Sequence, residues 1–137
     1  MTQEIHRRVY NVSHFQVSLV DAADLKSYPN LAPGGQLAAF GRNGVVAATA
    51  WDEGGKTPPE VEVSVSGYDE PNAAALALVP LASGEIMIGD RGALVGNVLT
   101  SDLRLIPVPQ GRYRVLVSAD ALVPMTARRI NFHLWPA

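Results

Sequence analysis

PVPQGRYRVLVSAD (Pro107 to Asp120) and ARRINFHLWPA (Ala127 to Ala137) decide the fold class. In the first, Tyr113, Val115 and Val117 alternate with Arg112, Arg114 and Ser118, and only Leu116 departs from the rule. In the second, Ile130, Phe132 and Leu134 alternate with Arg129, Asn131, His133 and Trp135, and Pro136 ends the run. Side chains on an extended strand point to opposite faces in turn, so each stretch reads as a strand with one apolar face. The apolar sets are expected in a core. Arg112, Arg114, Ser118, Arg129 and His133 are expected outside it.

The same period recurs upstream. Phe15, Val17 and Leu19 alternate with His14, Gln16 and Ser18, and Val61, Val63 and Val65 alternate with Glu62, Ser64 and Ser66. The latter strand, Glu60 to Gly67, is expected to bury one face. Gln36 to Arg42 and Val45 to Trp51 flank Asn43-Gly44, a dipeptide suited to the positive φ angles of a type I′ hairpin turn. Ile5 to Tyr10, Glu85 to Gly89, Ala93 to Leu99 and Leu103 to Val108 supply further strands. Ala73 to Leu78 is ambiguous, because Pro80 ends any helix there within two turns, and it is read as a strand buried on both faces. Asp21 to Gly35 is the longest break, a loop with room for one short helical turn before Pro29 and Pro33.

With 137 residues, ten prolines, twelve glycines and no linker-like tract, the chain is expected to form a single domain over residues 1–137. About nine short strands then imply an all-β fold, a two-sheet antiparallel β-sandwich, with a barrel as the alternative.

The absence of cysteine excludes disulfides, thiolate metal sites and cysteine nucleophiles, and nothing calls for an oxidising compartment. No apolar run follows the basic residues near the N-terminus, so neither a signal peptide nor a membrane span is expected, and the default address is cytoplasmic. A net charge of −2 argues against a dedicated nucleic-acid binder for the chain as a whole. The charge is uneven: Asp52, Glu53, Glu60, Glu62, Asp69 and Glu70 surround Lys56, whereas Arg104, Arg112, Arg114, Arg128 and Arg129 face only Asp120 after Leu103.

No chemical constellation stands out. AWDEGGKT (Ala50 to Thr57) differs from the phosphate-binding P-loop pattern only in its first residue, yet Pro58-Pro59 and a strand follow where a P-loop needs a helix, and Asp52 and Glu53 repel phosphate. His6, His14 and His133 lack zinc-site spacing. Serine, histidine and aspartate are all present, but no G-x-S-x-G elbow accompanies them. Arg112, Tyr113, Arg114, Arg128, Arg129 and Trp135 combine basic and aromatic character, one route to single-stranded nucleic acid; the simpler reading is an exposed arginine ladder. No catalytic residue, cofactor or metal is assigned.

SHFQVSLVD (Ser13 to Asp21), ASGEIMIGD (Ala82 to Asp90) and LRLIPVPQGRYRVLVSAD, taken in order, resemble the bacterial competence protein J family and related small bacterial proteins ending in a similar aromatic-Trp-Pro-Ala strand. The likeness is best in the first strand and in Pro109, Gly111 and Tyr113. It implies a non-enzymatic protein that binds and blocks a protein partner, a nuclease. Carboxylate-bearing loops can occupy a cationic cleft, so Trp51, Asp52, Glu53, Asp69 and Glu70 are the candidate partner-binding residues, with Trp51 as anchor. Two other readings remain. One is a small-ligand or carbohydrate-binding module, or an enzyme, using an open sheet face with His14, His133 and Trp135. The other is a homo-oligomer that buries Leu116 and Trp135 against a neighbouring copy.

Overall fold

The computed structural model describes residues 2–12, 14–32, 35–51, 58–71, 77–123 and 125–137, the side chain of Ser27 excepted. Ten strands form among them: β1 Gln3–Asn11, β2 Gln16–Asp21, β3 Ala38–Gly41, β4 Gly44–Ala48, β5 Glu60–Gly67, β6 Val79–Ile88, β7 Ala93–Asn97, β8 Asp102–Ile106, β9 Gly111–Ala119 and β10 Arg129–Pro136. They build two five-stranded sheets, sheet A in the order β1-β5-β10-β9-β6 and sheet B in the order β3-β4-β2-β7-β8. The pairings are antiparallel except β5 with β10, which run side by side in the same direction. The fold is a β-sandwich.

The alternation read from the sequence sets the core. Val61, Val63, Val65, Val115, Val117, Phe132 and Leu134 are fully buried from sheet A, against Val17, Leu19, Val45 and Val95 from sheet B. At one open side of the sandwich the Gly84 backbone lies under Phe40, where a Cβ would stand 2.6 Å from the ring. At the other, Arg8 bridges to Asp102 across 3.1 Å and lies over the Tyr10 ring. His6 hydrogen-bonds the Tyr10 hydroxyl there, and burial, together with Arg8 and Arg104, holds its pKa below the ordinary histidine value.

Several local expectations are corrected. His14 and Phe15 do not belong to β2; both adopt left-handed backbone, with φ of 62° and 47°, so the strand begins at Gln16. The β3–β4 hairpin forms, but Gly41 pairs with Gly44, and Arg42 and Asn43 are the turn residues. Asn43 and Gly44 are not among the residues with positive φ. Gly44 is instead required by packing, since a Cβ there would meet Val20 Cγ1 at 2.6 Å. The expected strands at Ala73 to Leu78 and Glu85 to Gly89 are replaced by the long β6; residues 72–76 lie outside the described residues, and Ala77 is an exposed turn residue. Pro80 is tolerated because β6 is an edge strand with a register shift between Pro80 and Ala82.

The largest correction concerns the outer face of sheet A. Ser64, Ser66, Ser118, Asn131 and His133, expected outside the core, are buried. These side chains bond one another: Asn131 Nδ2 bonds Ser64 and Ser66, and Ser66 meets the His133 ring. β5 and β6 run in the same direction with β10 and β9 between them. Asp69, just after β5, receives His133 through its carbonyl.

Pro107 to Gln110 carries the chain from sheet B to sheet A rather than forming a hairpin turn. The Tyr113 hydroxyl donates to the Pro109 carbonyl at 2.6 Å, the tyrosine-corner device of sandwich crossovers. Tyr113→Phe is therefore expected to lower stability by about 1 kcal/mol, the net worth of one hydrogen bond, with the ring still packed on Tyr68. Urea unfolding measures this; no change in midpoint would remove the crossover bond from the account.

Candidate functional site

Strand ends bring three connections together at one end of the sandwich. β1 leads into β2 through Val12 and Phe15, β4 leads through Ala50 and Trp51 toward β5, and β9 leads through 120–128 into β10. Backbone hydrogen bonds tie them: Thr49 N to Phe15 O, Ala50 N to Ala127 O, Trp51 N to Met125 O, and Val12 N to Pro59 O. Asp120 fixes the third connection, its Oδ1 accepting from the amides of Arg128 at 2.9 Å and Arg129 at 3.2 Å.

This scaffold presents apolar side chains to solvent. Trp51 is 50% exposed, Leu122 53%, Val123 63% and Met125 39%, and the Trp51 ring meets Phe15 at a centroid distance of 6.1 Å. Burying such side chains is favourable at about 25 cal/mol per Å², so leaving several exposed on one surface has a steep opportunity cost unless a partner covers them. The backbone supports the same view. His14, Phe15 and Met125 hold left-handed φ of 62°, 47° and 64° without being glycine, and such conformations concentrate at functional sites.

The five sequence candidates do not converge. Trp51 belongs to this apolar end, and Asp52 and Glu53, which follow it, lie outside the described residues. Asp69 and Glu70 follow β5 at the opposite end. Asp69 accepts from the Thr2 hydroxyl at 2.9 Å, which holds its carboxyl below the usual carboxylate range. β5 separates the two ends: Glu60 and Gly67 are seven residues or about 23 Å apart along it. Leu122, Val123 and Met125 were not singled out from the sequence; the signal was a run of aliphatic residues between two strands, with no polar alternation to place it in a sheet.

Of the alternative ligand residues, His14 is at the loop end, apart from the other two; His133 is buried, and its ring lies 5.9 Å from that of Trp135, which is half-buried on the outer face of sheet A beside Arg114. His133 does meet a serine and an aspartate. Its Nδ1 lies 2.7 Å from Ser66 Oγ and its Nε2 2.7 Å from the Asp69 carbonyl, with the Asp69 carboxylate at 3.9 Å. A carbonyl only accepts, so Nε2 carries the proton and Nδ1 accepts from the serine hydroxyl. Asn131 Nδ2 bonds Ser64 and Ser66. With Ser66 and His133 both buried, no substrate carbonyl can approach the hydroxyl, and the group forms a closed polar layer rather than a nucleophile and base. Among the described residues, no three histidine or carboxylate side chains gather as a metal site, and no helix is long and apolar enough to cross a membrane.

No protein-family model matches the chain, and no curated protein matches it by sequence. Among solved structures, that of ComJ from Bacillus subtilis, an inhibitor of the DNA-degrading activity of NucA, superposes with a TM-score of 0.61. The match covers 100% of this chain and 99% of that one at 9% identity. At that identity it establishes a shared fold, and the resemblance read from the sequence is carried by this architecture.

Proposed function

We propose that this protein is a non-enzymatic inhibitor that binds a nuclease, and that the partner docks on the loop end around Trp51. The carrying observation is the preformed apolar surface of Phe15, Trp51, Leu122, Val123 and Met125, held by backbone hydrogen bonds before any partner arrives. Preorganisation lowers the ordering cost of association, and a half-exposed tryptophan beside Phe15, its amide tied to the Met125 carbonyl, has the make-up of an interface anchor. Likeness over the whole chain to an inhibitor of a DNA-degrading protein supports the choice of partner class. Asp52 and Glu53, next to Trp51 in the sequence, supply negative charge for a cleft that normally holds phosphates and a cation. Asp69 and Glu70, at the other end, take no part in this contact.

Capture of partners from the organism that encodes the chain, followed by a DNA-degradation assay with added protein, tests the proposal. A captured nuclease should lose activity in proportion to bound protein. Trp51→Ala should weaken the complex by about 2 kcal/mol, roughly thirtyfold. Asp52→Lys/Glu53→Lys should weaken it most at low salt, and Asp69→Asn should leave it unchanged. A nuclease inhibited equally by the Trp51→Ala protein would remove the loop end as the docking site.

A further inference from the structure

The outer face of sheet A has a second surface that the inhibitor reading does not use. Trp135 on β10, Arg114 on β9 and Glu85 on β6 are direct cross-strand partners in one row, and Arg112 and Met87 form the next row. Two shallow grooves meet at Glu85. One, of about 310 Å³, is lined by Ser83, Gly84, Glu85, Arg114 and Trp135; the other, of about 460 Å³, by Arg42, Glu85, Ile86, Met87 and Arg112. Three arginines and one glutamate thus line the two grooves.

Those arginines are poorly engaged within the protein. The Arg114 side chain is 61% exposed, and its contact with Glu85 is 3.9 Å, outside hydrogen-bond range. Arg42 and Arg112 take part in none of the salt bridges among the described residues. Arg112 and Arg114 are two residues apart on one strand, hence about 6.8 Å apart on one face, a spacing similar to that of successive phosphates in an extended single strand. Trp135 supplies a ring beside Arg114 on the neighbouring strand, packed against the His133 ring at a centroid distance of 5.9 Å.

From this geometry we infer that the groove along β6 and β9 binds an extended single-stranded nucleic acid, with a base stacked on Trp135 and phosphates on Arg114, Arg112 and Arg42. Charge complementarity selects a polyanion, and the ring beside the arginine row selects one that carries bases. Of the basic and aromatic residues noted in the sequence, the fold keeps only Arg112, Arg114 and Trp135 for this surface. Tyr113 is in the core, and Arg128 and Arg129 sit at the other end of β10. The inference is independent of the inhibitor reading, and its test contains no nuclease.

The anisotropy of a fluorescein-labelled dodecathymidylate should rise saturably on addition of the full chain at about 50 mM salt. Three phosphate contacts predict a log–log salt slope of about −2, so affinity should fall about twentyfold by 200 mM. Arg112→Ala/Arg114→Ala, at two exposed positions that leave the core untouched, should weaken binding at least tenfold and reduce the slope to about −0.7. In Trp51→Phe, Trp135 is the remaining tryptophan, and its fluorescence should be quenched by the strand and by thymidine monophosphate only weakly. Absence of saturable binding at 50 mM salt, or equal binding by the double arginine variant, overturns the inference. Heparin binding as tightly as the strand, together with an unquenched Trp135, overturns it as well, because the surface would then read charge alone.

Discussion

Gly96→Ala is expected to destabilise the protein by about 3–5 kcal/mol, enough to bring it close to unfolding at ambient temperature. Two costs combine. Gly96 has φ of +138°, a backbone region that side chains disfavour, and a Cβ there would lie 2.1 Å from the Asp102 carbonyl oxygen and 3.0 Å from Tyr10 Cε1. Neither neighbour can yield cheaply. Asp102 opens β8 and its side chain holds Arg8, while the Tyr10 ring is buried at the junction of the two sheets. Relief would require β7 and β8 to part. Gly111→Ala is the internal control, because its Cβ would meet only the Tyr113 ring at an ordinary 3.8 Å. Urea midpoints should separate the two variants by at least 2 kcal/mol; equal midpoints would mean that the β7–β8 pairing does not approach as closely as described.

His133→Ala is expected to cost about 3 kcal/mol, more than its polar character suggests from the sequence. The ring is 1% exposed, and its loss leaves a cavity and removes the hydrogen bonds to the Asp69 carbonyl and the Ser66 hydroxyl. Ser66→Ala alone removes the bond to His133 and the longer one from Asn131 Nδ2, and should cost about 1–2 kcal/mol. Because Ser66 and His133 share the first of these bonds, the double variant should fall short of the sum by about 0.5–1 kcal/mol. A cost below 1 kcal/mol for His133→Ala would mean that the outer face of sheet A is open to water at this point. The Nε2-protonated tautomer, visible by nitrogen NMR, is the accompanying spectroscopic expectation.

These two positions also mark how far the sequence could be read. Val61, Val63, Val65, Tyr113, Val115, Val117, Ile130, Phe132 and Leu134 all face the core as their alternation required, since a buried inner face imposes the period directly. The alternation was equally clear at Ser66, Asn131 and His133, yet it did not lead to their burial. Period 2 assigns a residue to a face; whether that face meets water depends on contacts distant in sequence, and the parallel pairing of β5 with β10 leaves no local trace. The hairpin at Asn43-Gly44 was legible as a hairpin, but its register was decided by Gly44 packing against Val20, 24 residues away along the chain. Trp51 was singled out from the sequence as a candidate anchor, because tryptophan is a residue type that dominates interfaces. Its neighbours Phe15 and Met125 come from connections remote in sequence, and only the assembled strand ends bring them together.

The parallel β5–β10 pair bears on how the molecule is made. β10 is the last strand among the described residues and occupies the centre of sheet A, where it joins β5 to β9; Ser66 and His133, which meet across that junction, are 67 residues apart. Until β10 has left the ribosome, sheet A exists as two separate fragments, each with an unpaired edge. Folding of this half must therefore wait for β10, at the slow rates of long-range strand pairing, and the nascent chain is exposed to edge-to-edge association for that interval.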